Sequence, residues 1–401
     1  MASIQYREIE GRSGAYLALL GALGALVLAG LGAAWLMEHE GHHITGMTNR
    51  IVWGTPHVFA VFLIVAASGA LNVASIASVF GRELYKPLAR LSGLLAVALL
   101  AGGLAVLVLD LGRPDRLIVA MTHYNFKSVF AWNIFLYTGF FAVVALYLWT
   151  MLERRMNGYT RRAGVLAFLW RLVLTTGTGS IFGFLVAREP FAGALMAPLF
   201  IVMSFSLGLA VFVLVLMAAC RWTGRRLGEA VLGRLRSLLG VFVATVLYFV
   251  AVQHLSNLYI ARQHELERFF LLEGGVYTAL FWLGQVLVGG VLPLALLFGA
   301  ASRGALAAAA ACVIAGGFAQ LYVLIIGGQA YPQQMFPEKE IVSSFFDGVV
   351  ASYAPSLPEI ALGVGGVALA LALTTVALKL LPFLPRSLAD GDLAHGGPTS
   401  A

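Results

Sequence analysis

Residues 54–80 read GTPHVFAVFLIVAASGALNVASIASVF, a run without Lys, Arg, Asp or Glu. It is longer than the roughly 20 residues that carry a helix across about 30 Å of hydrocarbon. In lipid, the backbone amides must find partners inside the segment or in a closed barrel, and a barrel strand would alternate in polarity. This run does not alternate, so it is expected to be a membrane-spanning helix. Nine further runs have the same character, at 13–37, 88–111, 128–152, 163–187, 191–219, 237–260, 276–299, 304–327 and 359–383. The fold class that follows is an all-α, polytopic integral membrane protein of about ten spans.

Composition agrees. Of 401 residues, 60% are hydrophobic and 11% charged, against roughly 45–50% and 25% in a soluble domain. The net charge of +7 does not indicate nucleic acid, because the basic residues are dispersed through short loops and form no single basic face. Counted by side, alternate loops and both termini carry 17 Lys and Arg against 8 on the other side, with Arg171 left inside the fifth span. The positive-inside rule then puts both termini in the cytoplasm of a bacterial inner-membrane protein. Arg7 and Arg12 resemble the charged start of a signal peptide, but the apolar run reaching residue 37 favours an uncleaved helix. The long connections 112–127 and 328–358 fall on the outer side, and the second, with Tyr331, Phe336, Phe345 and Phe346, is expected to dock a partner. The basic, amphipathic stretch 221–236 (RWTGRRLGEAVLGRLR) is expected to lie along inner headgroups.

The two cysteines, Cys220 and Cys312, form no CxxC, CxxCH or ferredoxin-type run, so no iron–sulfur cluster or covalent haem is expected in this chain. Polar side chains at membrane depth are costly and mark function or helix packing. On the second span His57, Ser68, Asn72 and Ser75 share a face, with His57 at the outer end. Ser68 and Ser75 read first as interhelix glue. Asp110, His123 and Asn133, with Trp132 beside the last, gather at the outer interface. There Asp110 reads first as a helix cap paired with Arg113 or Arg116, yet a carboxylate, an imidazole and amides at one depth suit a quinone headgroup and its protons. Arg171, followed by Thr175, Thr176, Thr178 and Ser180, reads as part of a proton path or as a side chain reaching the inner interface. A second outer group comprises Gln253, His254, Asn257, Gln285 and Gln320. Haem held by His57 and His254 ranks below an amide network.

With these segments in place, the chain resembles the NrfD family of respiratory membrane subunits, typified by polysulfide reductase, over nearly its whole length. The resemblance is carried by Trp53 and Gly54 with Ser68 and Gly69, by Asp110 to Arg113, by His123 to Asn125, and by Tyr353 to Ser356 followed by Glu359. It is greatest to the ten-helix branch, which includes membrane subunits of periplasm-facing hydrogenases, of alternative complex III and of the Dsr complex of sulfur metabolism. The resemblance implies two four-helix bundles, at 54–187 and 191–327, flanked by 1–37 and 359–401, with 328–358 as an outer loop. It also implies a quinone, menaquinone or ubiquinone, bound as substrate near the outer face, and a periplasmic, ferredoxin-like iron–sulfur subunit docked there. In polysulfide reductase-like members a histidine near the outer end of the first bundle's first helix lines the quinone site, and His57 is the histidine this chain offers. The tyrosine and glutamate that some members carry on that bundle's fourth helix have no counterpart between Thr175 and Ser180.

The expected quinone contacts are therefore His57, Trp53, Asp110, His123 and Asn133. The expected proton route is Ser68, Asn72, Ser75 and Arg171, with Gln253, His254, Asn257, Gln285 and Gln320 as a second polar cluster and no metal ligand or catalytic group. Two other classes compete: a secondary transporter, which would need broken helices and midplane charges, and a membrane anchor, which would leave His57 without a role.

Overall fold

The computed structural model describes residues 5–332 and 348–391. Among the described residues ten helices are long and apolar enough to span a membrane: α1 Gly14–Glu40, α2 Thr55–Ser78, α3 Glu83–Leu109, α4 Val129–Leu152, α5 Arg154–Phe184, α6 Met196–Thr223, α7 Glu229–Tyr259, α8 Val276–Gly299, α9 Arg303–Ala330 and α10 Leu357–Leu380. The protein is thus an all-α, multi-pass membrane protein. The first and last described segments meet on one face, called here the termini-bearing face, where Tyr6–Arg7 pairs antiparallel with Leu384–Pro385.

Helix α2 packs on α3 and α5, and α4 on α3 and α5; α6 packs on α7 and α9, and α8 on α7 and α9. Helix α6 also lies against α2 and α5, while α10 packs on α1, α2 and α3. Lipid gives no hydrophobic drive between helices, so close backbone approach at small residues does that work. At the α2–α6 crossing a Cβ on Gly69 would stand 1.5 Å from the Ser204 carbonyl oxygen, and Gly208 faces Gly69 directly. No other residue fits at 69. The pair Gly30 and Gly365 brings α1 and α10 together in the same way.

The 221–236 stretch is not a surface helix. It is divided between the end of α6, a turn at Gly224 with φ +66°, and the first turns of α7. Asp390 caps α7 by accepting from the amides of Glu229 (3.1 Å) and Ala230 (3.0 Å). The helical period continued through residues whose charge alone suggested a surface position. Of the aromatic residues expected in the long outer connection, Phe336, Phe345 and Phe346 lie outside the described residues, and Tyr331 is half-buried against Phe269 (ring centroids 5.5 Å).

Candidate functional site

At the other end of the helices, Pro56 in the first turn of α2 sets the entry of that helix, with Trp53 just before its Gly54 cap and His57 in its first turn. Their rings stack, with centroids 5.2 Å apart and planes within 9°. Phe130 of α4, Phe182 of α5 and Phe191 close around Trp53 at 6.1, 5.8 and 6.0 Å. Trp53 is held from behind by Gln329 of α9, which is 2% exposed. Gln329 Oε1 accepts from the amides of Val52 (2.9 Å) and Trp53 (3.0 Å), and Nε2 donates to the carbonyls of Trp53 and Ile325, both at 2.9 Å. Two of those four bonds hold the Trp53 backbone directly, one holds its neighbour Val52, and the fourth ties the amide to its own helix. By contrast, among the described residues neither ring nitrogen of half-buried His57 finds a hydrogen-bond partner. The imidazole is thus free to donate to, or accept from, a group entering beside Trp53.

One turn deeper, Asn133 of α4 donates to the carbonyls of Val129 (2.9 Å) and Gly177 (3.4 Å), and Thr178 of α5 donates to its Oδ1 at 3.5 Å. Along the α2–α5 seam Ser68 and Thr175 share a 2.5 Å hydrogen bond and Ser68 donates to the Arg171 carbonyl. Arg171 Nη2 donates to Asn72 Oδ1 at 2.8 Å. Arg171 is 0% exposed, so it does not reach the interface; its guanidinium stays inside, between the rings of Phe168 and Phe205. Ser75 donates to Leu71 on its own helix. The structure therefore joins Ser68, Asn72 and Arg171, adds Thr175, and leaves Ser75 to local packing.

Asp110 caps α3 beside the start of α10. Its carbonyl accepts from His42 Nε2 at 3.2 Å, while carboxylate Oδ1 is buried without a partner among the described residues. Arg113 pairs with Asp115 at 3.2 Å and not with Asp110. The nearest counterpart is another carboxylate. Glu359 is 0% exposed and accepts from the amides of Gly46 (2.9 Å) and Ser356 (2.7 Å) and from the Tyr353 hydroxyl (2.5 Å). A side chain at Gly54 would meet Glu359 Oε1 at 2.3 Å, which explains the glycine after Trp53. Burial first, and then the charge of Glu359, push the Asp110 carboxyl up to about 7. A carboxyl raised in the fold binds its proton more tightly there than in the unfolded chain. The stability it contributes is full below its ordinary value and is lost as pH rises through about 7. Asp110→Asn is accordingly expected to unfold at a higher temperature than wild type at about pH 8, with the difference shrinking at about pH 5. Thermal unfolding in one detergent at both pH values checks this, and an equal difference would mean that Asp110 is not shifted.

His123 lies away from this group, exposed on the 112–127 connection and hydrogen-bonded to Thr122 at 3.0 Å. Around it Tyr124, Phe126, Trp132 and Phe135 form an aromatic cluster with centroids 4.5 to 6.4 Å apart. Phe126 is 64% and Trp132 50% exposed.

At the end of α7, His254 Nδ1 meets Glu267 Oε2 at 2.6 Å and Asn257 donates to Glu267 Oε1 at 2.7 Å. Gln253, Gln285 and Gln320 line the same cavity, of about 60 Å³. That holds a few waters and falls far below the roughly 300 Å³ at which small-molecule pockets begin. Stretches of π-helix at Leu280–Val291 and Val323–Gly327 run along it, a widening that recurs at functional sites. Gln329, Tyr353, Glu359, His42 and Glu267 were not among the sequence-derived site residues. Tyr353 and Glu359 stood in a stretch that carried the family resemblance, and Gln329 closes an apolar run. Glu267 lies in the short helix His264–Arg268 between α7 and α8, whose pairing back to α7 no periodicity announces.

The class these elements define is a multi-pass membrane protein whose polar and aromatic groups gather at one end of its helices. Within that class the chain belongs to the NrfD, polysulphide reductase, family, whose model matches residues 43–333. It is similar to the Hdr-like menaquinol oxidoreductase integral membrane subunit of Archaeoglobus fulgidus, 30% identical over 96% of this chain and 97% of that one. It is also similar to a putative dimethyl sulfoxide reductase membrane subunit of Halobacterium salinarum, 28% identical over 94% of each chain. A selenate reductase subunit of Mesobacillus selenatarsenatis is 21% identical over 94% of this chain and 96% of its own.

Proposed function

We propose that this chain is the quinone-handling membrane subunit of a respiratory oxidoreductase complex, exchanging electrons between a docked iron–sulfur subunit and the membrane quinone pool. The observation that carries this reading is the His57 imidazole, stacked on a clamped Trp53 and without a hydrogen-bond partner among the described residues. A quinone taking two electrons also takes two protons at its carbonyl oxygens, so its site needs a donor that can be resupplied. A neutral imidazole meets that need without a fixed charge in hydrocarbon. The names of the similar proteins, a menaquinol oxidoreductase subunit and subunits of two reductases, support the class of complex.

In this reading α2–α5 form the quinone-binding bundle and α6–α9 a second one, with α1 and α10 flanking. Trp53 and His57 border the headgroup, and Asn133 lies a turn below. The column Ser68, Arg171 and Asn72 carries protons inward along the α2–α5 seam. Asp110 and Glu359 sit at the α3–α10 corner of the same face, where Asp110 exchanges protons with water. The exposed aromatic cluster around His123 and the 328–358 connection receive the iron–sulfur subunit, since aromatic anchors recur at such contacts. The charge asymmetry supports cytoplasmic termini in a bacterial inner membrane.

Photolabelling of the intact complex with an azido-menaquinone tests the site. Label is expected on peptides containing Trp53 and His57 and on the start of α4. Label confined to 253–285 would move quinone to the second bundle. A fluorescent or phosphatase reporter fused after Ala401 reads the topology: fluorescence without phosphatase activity is expected, and the opposite pattern would invert the orientation.

A further inference from the structure

A cleft of about 1400 Å³ opens on the termini-bearing face between the α1–α10 pair and α6–α9. It exceeds the roughly 300–1,000 Å³ of a drug-sized pocket. Its apolar walls run from Val211 to Trp222 on α6 and from Val367 to Leu378 on α10. At 1.5 Å per residue each wall is about 17 Å long, roughly half of a 30 Å hydrocarbon core and so the depth of one leaflet. Beyond that depth Phe62 of α2 and Phe318 of α9 line it, and it ends against Phe59, four residues into α2 from the opposite end, whose ring meets Phe318 at 4.6 Å between centroids.

The mouth is basic and built. Arg7, Arg12, Arg225 and Arg386 line it, against Glu8 and Glu10. Arg225 staples the rim: Nη1 donates to the carbonyls of Leu384 (2.8 Å) and Pro385 (2.9 Å), and Nη2 to those of Arg7 (2.9 Å) and Glu8 (3.0 Å). Those bonds fix the two-stranded pairing that carries Arg7 and precedes Arg386. Arg12 has no partner among the described residues, and Arg7 has Glu10 at 3.8 Å across open surface. Helix α1 begins immediately after Arg12, adding the positive end of its dipole. Tyr16 and the 68% exposed Trp222 lie at the depth where aromatic residues mark the headgroup region.

We propose that this cleft is a binding site for one anionic phospholipid, its phosphate held at Arg12, Arg7 and Arg386 and its acyl chains filling the cleft to the phenylalanine floor. A partner's transmembrane helix does not fit a cleft closed at its far end by Phe59 and Phe318, because such a helix must cross both leaflets. A quinone has no anionic group for the basic mouth to hold. Free phosphate would leave the apolar walls unfilled.

The test is quantitative lipid mass spectrometry of the complex purified in mild detergent, comparing wild type with the Arg12→Gln/Arg386→Gln double variant. Wild type is expected to retain about one phosphatidylglycerol or cardiolipin per chain through washing. The variant should lose it by roughly ten-fold or more, as two basic side chains at a headgroup warrant, with quinone turnover retained in lipid. Val215→Trp, which fills the cleft and leaves the arginines in place, should also expel the lipid. Equal retention by wild type and both variants overturns the proposal, as does retention of phosphatidylcholine supplied in excess, of quinone or of inorganic phosphate in place of the anionic lipid. Because Arg12, Arg386 and Val215 line the cleft away from His57 and none of them touches Trp53 or His57, its failure leaves the quinone reading untouched.

Discussion

His57→Ala is expected to lower quinone-linked turnover by on the order of 100-fold, the lower end of what a positioned proton donor contributes. Assembly and reduction of the partner subunit by an artificial donor should be unchanged. The separation is possible because His57 holds nothing else in place: its contact is a stack on Trp53, and the Trp53 backbone is fixed independently by two hydrogen bonds with Gln329, which also accepts from the Val52 amide. Removing the imidazole therefore takes away a proton-exchanging group and leaves the aromatic walls standing. His57→Gln, which keeps a hydrogen-bonding side chain but cannot titrate, should bind quinone better than Ala while remaining slow. A His57→Ala complex that turns over at the wild-type rate sinks the assignment.

The membrane spans were legible because hydrocarbon imposes one requirement on every residue of a span at once. A 20-residue apolar average survives errors at its ends. The 276–299 run coincides with α8, whereas the run expected at 163–187 is preceded by further helix, so that α5 starts at Arg154. Polar ends are where hydropathy loses its grip, since water or headgroups satisfy them as well as a helix does. The same limit applies to 221–236, where charge suggested the surface and capping by the distant Asp390 put the segment into α7.

The candidate site was only partly legible, for a different reason. The stripe of Ser68 and Asn72 could be read from helical spacing within α2, and the structure extends it to Arg171 and Thr175 of α5. What joins residues of different helices has no period. The clamp of Gln329 on Trp53 spans a sequence separation of 276, and the hydrogen bond of Glu359 with Gly46 one of 313. Asp110 illustrates the cost of that blindness: its neighbours in sequence, Arg113 and Arg116, offered a local ion pair, whereas helix packing set it against Glu359.

Asn72→Leu is expected to destabilise the fold by about 3–5 kcal/mol, the cost of stripping one partner from a buried charge. Among the described residues the guanidinium of Arg171 has a single side-chain acceptor, Asn72 Oδ1 at 2.8 Å, besides the Ser68 carbonyl at 3.4 Å, and its Nε has none. The rings of Phe168 and Phe205, at 5.0 and 4.8 Å from the guanidinium carbon, supply the remaining attraction. With Leu at 72 that charge would be left with faces of rings and one long contact. Arg171→Met removes the charge itself and fills similar volume, so it should be close to neutral or stabilising. The double variant should recover most of what Asn72→Leu loses, since the two sites are coupled through one interaction. Thermal unfolding of the purified complexes reads all three. If Arg171 also carries protons along the seam, Arg171→Met will fold well and turn over quinone slowly, a combination that a purely structural arginine would not give. An Asn72→Leu protein as stable as wild type would mean that the guanidinium is held by something other than Asn72.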